Sequence, residues 1–254
     1  MHERYISVDT ESAGKGNMLS LGACVVADET LMFYRELQPL NDAYDPAAIA
    51  VPIFSEETMA DILKREPVVG KPIAVLSVLH ERGDNPASAM EAFAEWVRIV
   101  SRDTVPIFVA FSAHADWSIV DAYFQRYKIE NPFGISALDA GSYYMGMAAC
   151  SYADMRISPD FYPVKRRNTH HALVDAMAQA ESFDRMLQYN RGRLASMRES
   201  TIAKFRLCME CGGAARYVRH TQFTGNHYFC VAHARQEDNF MQEDPSYYWW
   251  EELA

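Results

Sequence analysis

Three features of the sequence predict an α/β domain followed by a small metal-binding module. Alternating and continuous apolar segments typical of β-strands occupy residues 4–38. From residue 85 onward, segments with apolar residues at helical spacing alternate with short apolar runs, which adds helices and further strands to the first ones. Three of the five cysteines then cluster within residues 205–254, an arrangement typical of a metal site in a reducing compartment.

The length and composition are those of an ordinary globular protein. The chain has 254 residues, of which 49% are hydrophobic and 23% charged, enough for one large domain and a small module. A net charge of −10 argues against a protein that coats nucleic acid through bulk positive charge, but not against an enzyme that meets a polyanion through bound cations. Because the sequence has neither an apolar run of 18 residues nor a signal peptide, we expect a cytoplasmic protein and no membrane partner.

The first strand leads into the most informative residues. Arg4 to Val8 alternates polar and apolar residues, as a strand does, and Asp9 and Glu11 follow directly. Because strand side chains repeat every second residue, the two carboxylates point to the same side. They repel each other unless a cation lies between them, and hard divalent cations prefer oxygen ligands. Gly14 then allows the chain to turn away.

The next segments predict an antiparallel meander. Leu19–Ala27 is a nearly continuous apolar run, as in a central strand, and Leu31–Gln38 alternates more strongly. A turn at 28–30 would join them. In the irregular segment that follows, we predict only a helix at 56–65 and turns at 67–71.

The rest of the large domain alternates helices and strands. Asn85 and Pro86 predict the start of a helix, because they combine a capping side chain with a proline in the first turn. Beyond that helix we predict a strand at 106–111, a helix at 115–128, a strand that closes at 136–139, a helix at 142–149 and a last helix from about 168–169.

Further polar residues lie at the starts of these helices. Asp116 opens a helix directly after a strand, a junction where functional groups of α/β folds gather. His170 precedes Asp175 across a helix start, which can place both side chains at one cleft. The alternative for this pair is a helix cap and a surface acid. For Asp139 we predict a helix N-cap rather than a role in the site.

Together these residues resemble the DEDDh branch of the DnaQ-like, RNase-T-like 3′–5′ exonucleases over about residues 3–190. Asp9-Thr10-Glu11 is similar to the first motif of that family, D-x-E, and Asp116 to the acid of the second. His170 to Asp175 is similar to the third motif, H-x-A-x-x-D. The resemblance implies an RNase H-like α/β fold, with a mixed sheet flanked by helices. It also implies a hydrolase that releases nucleoside 5′-monophosphates from 3′ ends.

Three positions depart from the family pattern. Ser112 and Ala115 stand where the second motif usually has an asparagine and an aromatic residue, which weakens the expected contacts around Asp116. Ala13 replaces a hydroxyl residue that often follows the first acid pair. All five chemical groups of the motifs are nevertheless present, so we expect an active enzyme.

The ligand set that the resemblance implies determines the expected chemistry. Four carboxylates carry about four negative charges, which two Mg²⁺ or Mn²⁺ ions would neutralise. Two such ions about 4 Å apart can activate water and stabilise the leaving 3′ oxygen. His170 would take the proton of the water, with His171 as its rival one residue off the motif spacing. The expected catalytic residues are therefore His170, Asp9, Glu11, Asp116 and Asp175, and the four acids are also the expected metal ligands.

The expected partner is a nucleic acid with a 3′ end. Single-stranded DNA and RNA both remain open, because the sequence contains no recognisable sensor of a 2′-hydroxyl. A homodimer is also left open. The basic cluster Lys165, Arg166 and Arg167 directly precedes the His170 helix and could steer phosphates towards the metals, although a solvated loop is the alternative.

The C-terminal segment predicts one structural zinc ion. Cys208 and Cys211 form a CxxC pair, and Cys230 and His233 form a CxxH pair further along. A Cys₃His set at this spacing is typical of a closed tetrahedral site. The segment resembles a zinc ribbon or a treble-clef finger, and the alternative is a small hairpin with free cysteines.

The role of this module is less determined by the sequence. It could staple the C-terminus, because about 50 residues bury little core alone. The tail Tyr247–Trp250 could dock on the main domain or stack on bases. His227 and His220 are rival zinc ligands. Contacts with nucleic acid could come from Arg216, Arg219, His220, Tyr228 and Phe229.

The predicted organisation is an exonuclease domain at 1–190, a helical connector at 191–204 and a zinc-binding module with an aromatic tail at 205–254. The alternative of a different class is an accessory protein without catalysis, which binds nucleic acid or a partner through the zinc module. A second alternative keeps the chemistry and restricts it to RNA or short oligoribonucleotides.

Overall fold

The computed structural model describes residues 2–14, 16–65, 72–135, 137–151, 161, 169–221, 225–237 and 248–253, with the backbone alone for 72, 198–205, 225 and 248. Met1–Leu187 forms one compact unit and Gln188–Ala254 another. None of the helices in these ranges is both long enough and apolar enough to cross a membrane. The turns predicted at 67–71, the basic cluster Lys165–Arg167 and Tyr247 lie outside the described residues.

Three strands come first, a run of helices follows, and strands and helices are interspersed after that. The strands are β1 (Glu3–Ser12), β2 (Met18–Val25), β3 (Asp28–Glu36), β4 (Val105–Ala110), β5 (Ala137–Asp139), β6 (Tyr217–Thr221), β7 (Gly225–Phe229) and β8 (Tyr248–Glu252). The helices are α1 (Pro46–Ile49), α2 (Glu56–Arg65), α3 (Pro72–Arg82), α4 (Pro86–Ser101), α5 (Ala113–Tyr127), α6 (Ala140–Ala148), α7 (Ala172–Phe205) and α8 (Val231–Ala234).

The first five strands form one mixed sheet in the order β3-β2-β1-β4-β5. Strand β2 runs antiparallel to β1 and β3, whereas β4 runs parallel to β1 and β5 runs parallel to β4. The predicted meander and the predicted mixed sheet are therefore confirmed. In the ladder of β1 and β2, Asp9 lies opposite Gly22 and Glu11 opposite Ser20.

Helices cover both faces of this sheet. Val8 of β1 belongs to a core cluster with Phe93 of α4, and Val109 of β4 belongs to another with Phe183 of α7. Because side chains alternate along a strand, Asp9 points away from the face of Val8 and towards the face that α7 covers. The sheet thereby brings the first acid and the last helix of the domain to one side.

The region between β3 and α4 contains more helix than the sequence predicts. The helix α2 matches its prediction, but α3 fills a segment for which we expected irregular structure. Val78 and Leu79 of α3 pack with Ile62 of α2 in a separate core cluster. Ile73, on the same helix, is 74% exposed, so apolar residues occur on more than one side of α3 and form no single stripe.

Two predicted boundaries were wrong. The turn between β2 and β3 occupies residues 26–27 instead of 28–30, and Ala27 there has a φ of 68°. Helix α7 begins at Ala172 instead of 168–169, and it continues without a break to Phe205.

Two predicted helix caps are confirmed. The side chain of Asn85 accepts hydrogen bonds from the backbone N–H groups of Ala87 (3.0 Å) and Ser88 (3.3 Å) at the start of α4. The side chain of Asp139 accepts one from Ser142 (2.6 Å) at the start of α6. Each cap satisfies backbone donors that the first helical turn leaves free.

Helix α7 comes very close to the sheet at Gly22 of β2. A Cβ atom at this position would lie 2.3 Å from the carbonyl carbon of Ala172 and from the amide nitrogen of Leu173. Since Gly22 also pairs with Asp9, this close approach sets the start of α7 beside the first acid.

We expect the substitution Gly22→Ala to lower the free energy of unfolding by about 1–3 kcal/mol or more, because the backbone of α7 must move to admit the methyl group. Gly146→Ala is a matched control: Gly146 lies in α6, and no atom of the described residues comes within 4 Å of an added Cβ. There alanine should stabilise by roughly 0.5–1 kcal/mol. Urea unfolding of both variants measures the difference, and equal stabilities would contradict the close contact at Gly22.

The second unit contains an antiparallel sheet in the order β7-β6-β8. Trp250 of β8 is buried with Phe229 of β7 and Ala234 of α8. Trp249, by contrast, is 46% exposed and stacks on His220, with 4.8 Å between the ring centroids. From Tyr248 onward the aromatic tail is thus a strand of this unit.

Candidate active site and metal centres

Three carboxylates converge at the end of β1. Oxygen atoms of Asp9, Glu11 and Asp175 all lie within 4.8 Å of one another. Asp9 and Glu11 come from the part of β1 beyond Ser7, where its pairing with β4 stops, and Asp175 comes from the first turn of α7. Strand β1 therefore extends past its parallel neighbour, and side chains from other elements can approach the two acids there.

Asp116 reaches the same end of β1 from the first turn of α5. Its Oδ1 atom accepts hydrogen bonds from the backbone N–H of Thr10 (2.9 Å) and from the Thr10 hydroxyl (2.8 Å). The side chain is only 8% exposed. Asp116 stands next to the group of three rather than inside it, with one oxygen engaged by the strand that carries the first two acids.

The backbone around His170 is held from two directions. The Asp175 carboxylate accepts hydrogen bonds from the N–H groups of Thr169 and His170, both at 2.7 Å. The carbonyl of His170 accepts a hydrogen bond of 2.6 Å from the N–H of Ile53. His170 itself has a φ of 57°, in the left-handed region. The first turn of α7 and the segment before α2 together fix a conformation that a non-glycine residue rarely adopts.

The two neighbouring histidines point to different places. The Nδ1 atom of His170 lies 4.0 Å from Oε1 of Glu11, at the edge of the acidic group. The ring of His171 instead stacks on Tyr34 of β3, with 4.7 Å between the centroids. Of the two candidates, His170 is the one that adjoins the acids.

Gln179 is a site residue that sequence reasoning missed. Its Nε2 donates a hydrogen bond of 2.7 Å to Oδ1 of Asp9, and its Oε1 accepts one of 3.2 Å from the backbone N–H of Phe111. The residue lies one helical turn after Asp175, on the same side of α7, and is 9% exposed. The i, i+4 spacing from the predicted acid was the available signal.

The acids repel one another in a largely desolvated site. Burial, and then the charges of Asp116, Glu11 and Asp175, raise the pKa of Asp9 well above its usual range. Burial with the charges of Asp175 and Asp116 raises the pKa of Glu11 to about 8. Burial also raises the pKa of Asp116 to about 6, against the hydrogen bonds from Thr10. The site as a whole therefore favours the arrival of positive charge.

Comparison with known proteins identifies the family. No protein-family model matches the chain. It is, however, 37% identical over 188 residues to the 3′–5′ DNA exonuclease Cap18 of Escherichia coli, which is 71% of this chain and 90% of that protein. The chain belongs to the DEDDh family of 3′–5′ exonucleases. The predicted family, enzyme class and fold class are thereby confirmed.

Solved structures agree with a DEDDh fold. The nuclease domain of 3′hExo, a DEDDh family member bound to rAMP, matches 74% of this chain and 92% of its own, with a TM-score of 0.53 and 12% identity. Escherichia coli exonuclease I in complex with a dA16 oligonucleotide matches 87% of this chain with a TM-score of 0.51 and 12% identity. The chain spans only 48% of that protein.

At one departure from the DEDDh pattern, the structure supplies a different contact. Ser112 is the N-cap of α5, with a φ of 57°, and its side chain makes no capping hydrogen bond to described residues. The N–H of the next residue, Ala113, donates instead to Oδ2 of Asp139 at 2.8 Å. Asp139 thus holds the start of the helix that carries Asp116, as well as the start of its own helix.

The second unit of this DEDDh protein brings four candidate metal ligands together. The sulfur atoms of Cys208 and Cys230 lie 3.5 and 3.3 Å from Nδ1 of His233, and the sulfurs of Cys211 and Cys230 are 3.9 Å apart. Ligand atoms of a tetrahedral zinc site are about 3.5–3.8 Å apart, given Zn–S and Zn–N bonds of about 2.3 and 2.0 Å. The four side chains therefore fit a zinc ion.

The local backbone favours the thiolate form of Cys208. Burial opposes ionisation of Cys208, but backbone N–H groups directed at its sulfur outweigh it and lower the pKa of this thiol to about 6. Gly212, with a φ of 70°, closes the turn after the first pair by donating from its N–H to the carbonyl of Cys208. Thiolates are the form in which cysteine binds zinc.

Several of the rival ligands and suggested nucleic-acid contacts have other partners in this unit. The ring nitrogens of His220 pair with Asn226 (2.8 Å) and Glu251 (2.9 Å). Neither His220 nor His227 belongs to the group of four ligands. Arg216 and Arg219 form ion pairs with Glu252 and Glu237, and Phe229 is buried.

Proposed function

We propose that this 3′–5′ exonuclease removes nucleoside 5′-monophosphates from the 3′ ends of single-stranded DNA. The observation that carries the proposal is the group of Asp9, Glu11 and Asp175, with His170 beside it. DNA as the substrate is supported by the name of the relative Cap18, and a single strand by the oligonucleotide complex of exonuclease I.

The acidic residues suit divalent cations. Their oxygen atoms are close together, and their pKa values are raised by burial and by mutual repulsion, which a cation would relieve. We therefore assign two Mg²⁺ or Mn²⁺ ions to this site. When bound, such ions polarise the scissile phosphate and offset the charge that develops during displacement. The proposed ligands are Asp9, Glu11, Asp116 and Asp175.

His170 is proposed as the general base. Its side chain is 39% exposed, so a water molecule and a phosphate can both reach it, and its Nδ1 adjoins the acidic group. The hydrogen bonds of its N–H and carbonyl hold the backbone from which this ring extends. It would accept the proton of the attacking water, and the carboxylates would hold the cations.

The first test is digestion of DNA and RNA of equal sequence, each labelled at the 5′ end, with Mg²⁺, with Mn²⁺ or with EDTA. We expect the DNA to be digested from its 3′ end, which produces a ladder of labelled fragments, and we expect EDTA to prevent this digestion. Faster digestion of RNA than of DNA would indicate that RNA is the substrate instead of the proposed DNA. If neither strand is cut, the protein is better explained as an accessory factor that binds through the zinc module.

We also propose one structural Zn²⁺ in the second unit, bound by Cys208, Cys211, Cys230 and His233. We expect Cys230→Ser to reduce bound zinc from about one per chain to none, and to unfold the sheet of β6, β7 and β8, since zinc binding contributes on the order of 10 kcal/mol in small metal-dependent folds. Metal analysis and proteolysis measure both effects. Cys150→Ser is the control, because Cys150 lies outside the group of four ligands. Retention of zinc by Cys230→Ser would contradict the proposed ligand set.

The division into a nuclease domain at 1–190, a connector at 191–204 and a zinc module at 205–254 is part of the same proposal. It is supported by the two compact units, which divide between Leu187 and Gln188.

The proposal further includes a cytoplasmic location, which cell fractionation tests. Mass measurement in solution tests whether a homodimer forms.

A further inference from the structure

Gln179 links three elements of the active site with one side chain. It lies on α7, four residues after Asp175. It contacts Asp9 on β1, and it also contacts the backbone of Phe111, which directly follows β4 and leads into α5 with Asp116. The elements that carry the three DEDDh motifs are therefore joined at this amide.

The orientation of the amide follows from its partners. The backbone N–H of Phe111 can only donate, so the oxygen of the Gln179 amide must face it, at 3.2 Å. The nitrogen then faces Asp9, and its N–H donates to Oδ1 at 2.7 Å. Because the amide is 9% exposed, water has little access to either hydrogen bond.

This hydrogen bond restricts the carboxylate of Asp9. One oxygen, Oδ1, accepts a hydrogen bond from Gln179, and that contact restricts the rotation of the carboxyl group. The other oxygen, Oδ2, and the second lone pair of Oδ1 then keep a restricted orientation. A ligand that is held in place before the cation arrives loses less conformational entropy on binding.

We propose that Gln179 is a positioning residue that holds the Asp9 carboxylate in the orientation required for divalent cation binding. The inference rests on the proposed function, in which Asp9 is a metal ligand. Gln179 itself touches neither substrate nor cation in this assignment and acts only through Asp9. Residues of this kind around metal ligands typically change metal affinity by about 10–100-fold when they are replaced.

The test compares Gln179→Met with Ser182→Ala. Methionine has a similar length but cannot form either hydrogen bond. Ser182 is also buried on α7, where its hydroxyl donates to the carbonyl of Ala178, away from the acids. Binding of Mn²⁺ is measured by calorimetry on the full-length protein, and folding is measured by thermal unfolding in EDTA. Gln179→Asn is a second variant, one methylene too short to reach both partners, in case the methionine variant does not fold.

We expect the dissociation constant for Mn²⁺ to rise about 10–100-fold in Gln179→Met and to stay unchanged in Ser182→Ala. A lower melting temperature with unchanged Mn²⁺ affinity would assign Gln179 a structural role only and would overturn the inference. If the unmodified protein fails to bind Mn²⁺ or to cut DNA, the proposed function is wrong instead, and the two failures are thereby distinguished.

Discussion

Replacing Asp9 by asparagine is expected to abolish hydrolysis and, at the same time, to stabilise the metal-free protein at pH 8. Asparagine retains an oxygen that can accept the hydrogen bond from Gln179, so the side chain keeps its place. It removes one negative charge from the group with Glu11 and Asp175, and with it one proposed metal ligand. A loss of activity with a gain of stability is the pattern of a residue that serves function at the expense of the fold.

The sign of the stability effect follows from the raised pKa values. Burial and neighbouring acids raise the pKa of Glu11 from about 4.5 to about 8 in the metal-free fold, and that of Asp9 in the same direction. The folded protein therefore binds more protons than the unfolded chain in this window, and its stability falls as the pH rises through it. Each tenfold change in an acid dissociation constant on folding corresponds to about 1.4 kcal/mol in the free energy of unfolding. The asparagine side chain cannot ionise, so the variant does not lose the part of this free energy that the raised pKa of Asp9 costs the unmodified protein.

Unfolding in urea with EDTA at pH 5 and pH 8 measures this effect, beside digestion of labelled DNA with Mg²⁺. The control is Asp103→Asn, an exposed acid between α4 and β4, for which we expect full activity and no change of stability. Appreciable hydrolysis by Asp9→Asn would remove Asp9 from the mechanism. Lower stability of this variant at pH 8 would show that the metal-free cluster is not under repulsion.

Replacing His170 by alanine is expected to lower turnover about 10²–10⁴-fold, the usual contribution of a general base, while metal binding is retained. The reason is that the ring adjoins Glu11 at 4.0 Å, whereas the proposed ligands are the four carboxylates. The backbone hydrogen bonds that His170 makes to Asp175 and Ile53 are available to alanine as well.

Single-turnover digestion and calorimetric titration with Mn²⁺ separate the two properties. His171→Phe is the matched control, because a phenyl ring can still stack on Tyr34 and cannot accept a proton. We expect it to retain most of the activity. If His171→Phe loses more activity than His170→Ala, His171 is the general base. Loss of Mn²⁺ binding in His170→Ala would make His170 a metal ligand.

The sequence was most informative where function and local pattern coincide. Asp9 and Glu11 could be placed on one side because the strand period of two residues is strict. Asp139 could be predicted as a cap because its position relative to α6 is a local property, and its second hydrogen bond to Ala113 could not, because that contact depends on the tertiary fold. The roles assigned to the catalytic residues stay predictions until the variants are measured.

The start of α7, helix α3 and the role of Gln179 were not predicted correctly, and each case has a physical reason. Helix α7 begins at Ala172 because the Asp175 carboxylate draws the N–H groups of residues 169 and 170 towards itself, an interaction that competes with the predicted N-cap. Helix α3 was missed because its apolar residues do not form one stripe, as exposed Ile73 indicates. Gln179 belongs to none of the three motifs, and its only sequence signal was the i, i+4 spacing from Asp175, because its contacts form only when α7 packs against β1 and the end of β4.

The position of β1 in the sheet has a consequence for how the enzyme behaves between turnovers. This strand is hydrogen-bonded to β4 along Glu3–Ser7 and to β2 along Ile6–Ser12, so it lies in the interior of the five-stranded sheet. Backbone amides of interior strands exchange with solvent mainly through global unfolding, whereas loops and termini open far more often. Asp9 and Glu11 lie beyond Ser7, where β1 is paired with β2 alone, so we expect their spacing to persist between turnovers for as long as the β1–β2 ladder is intact.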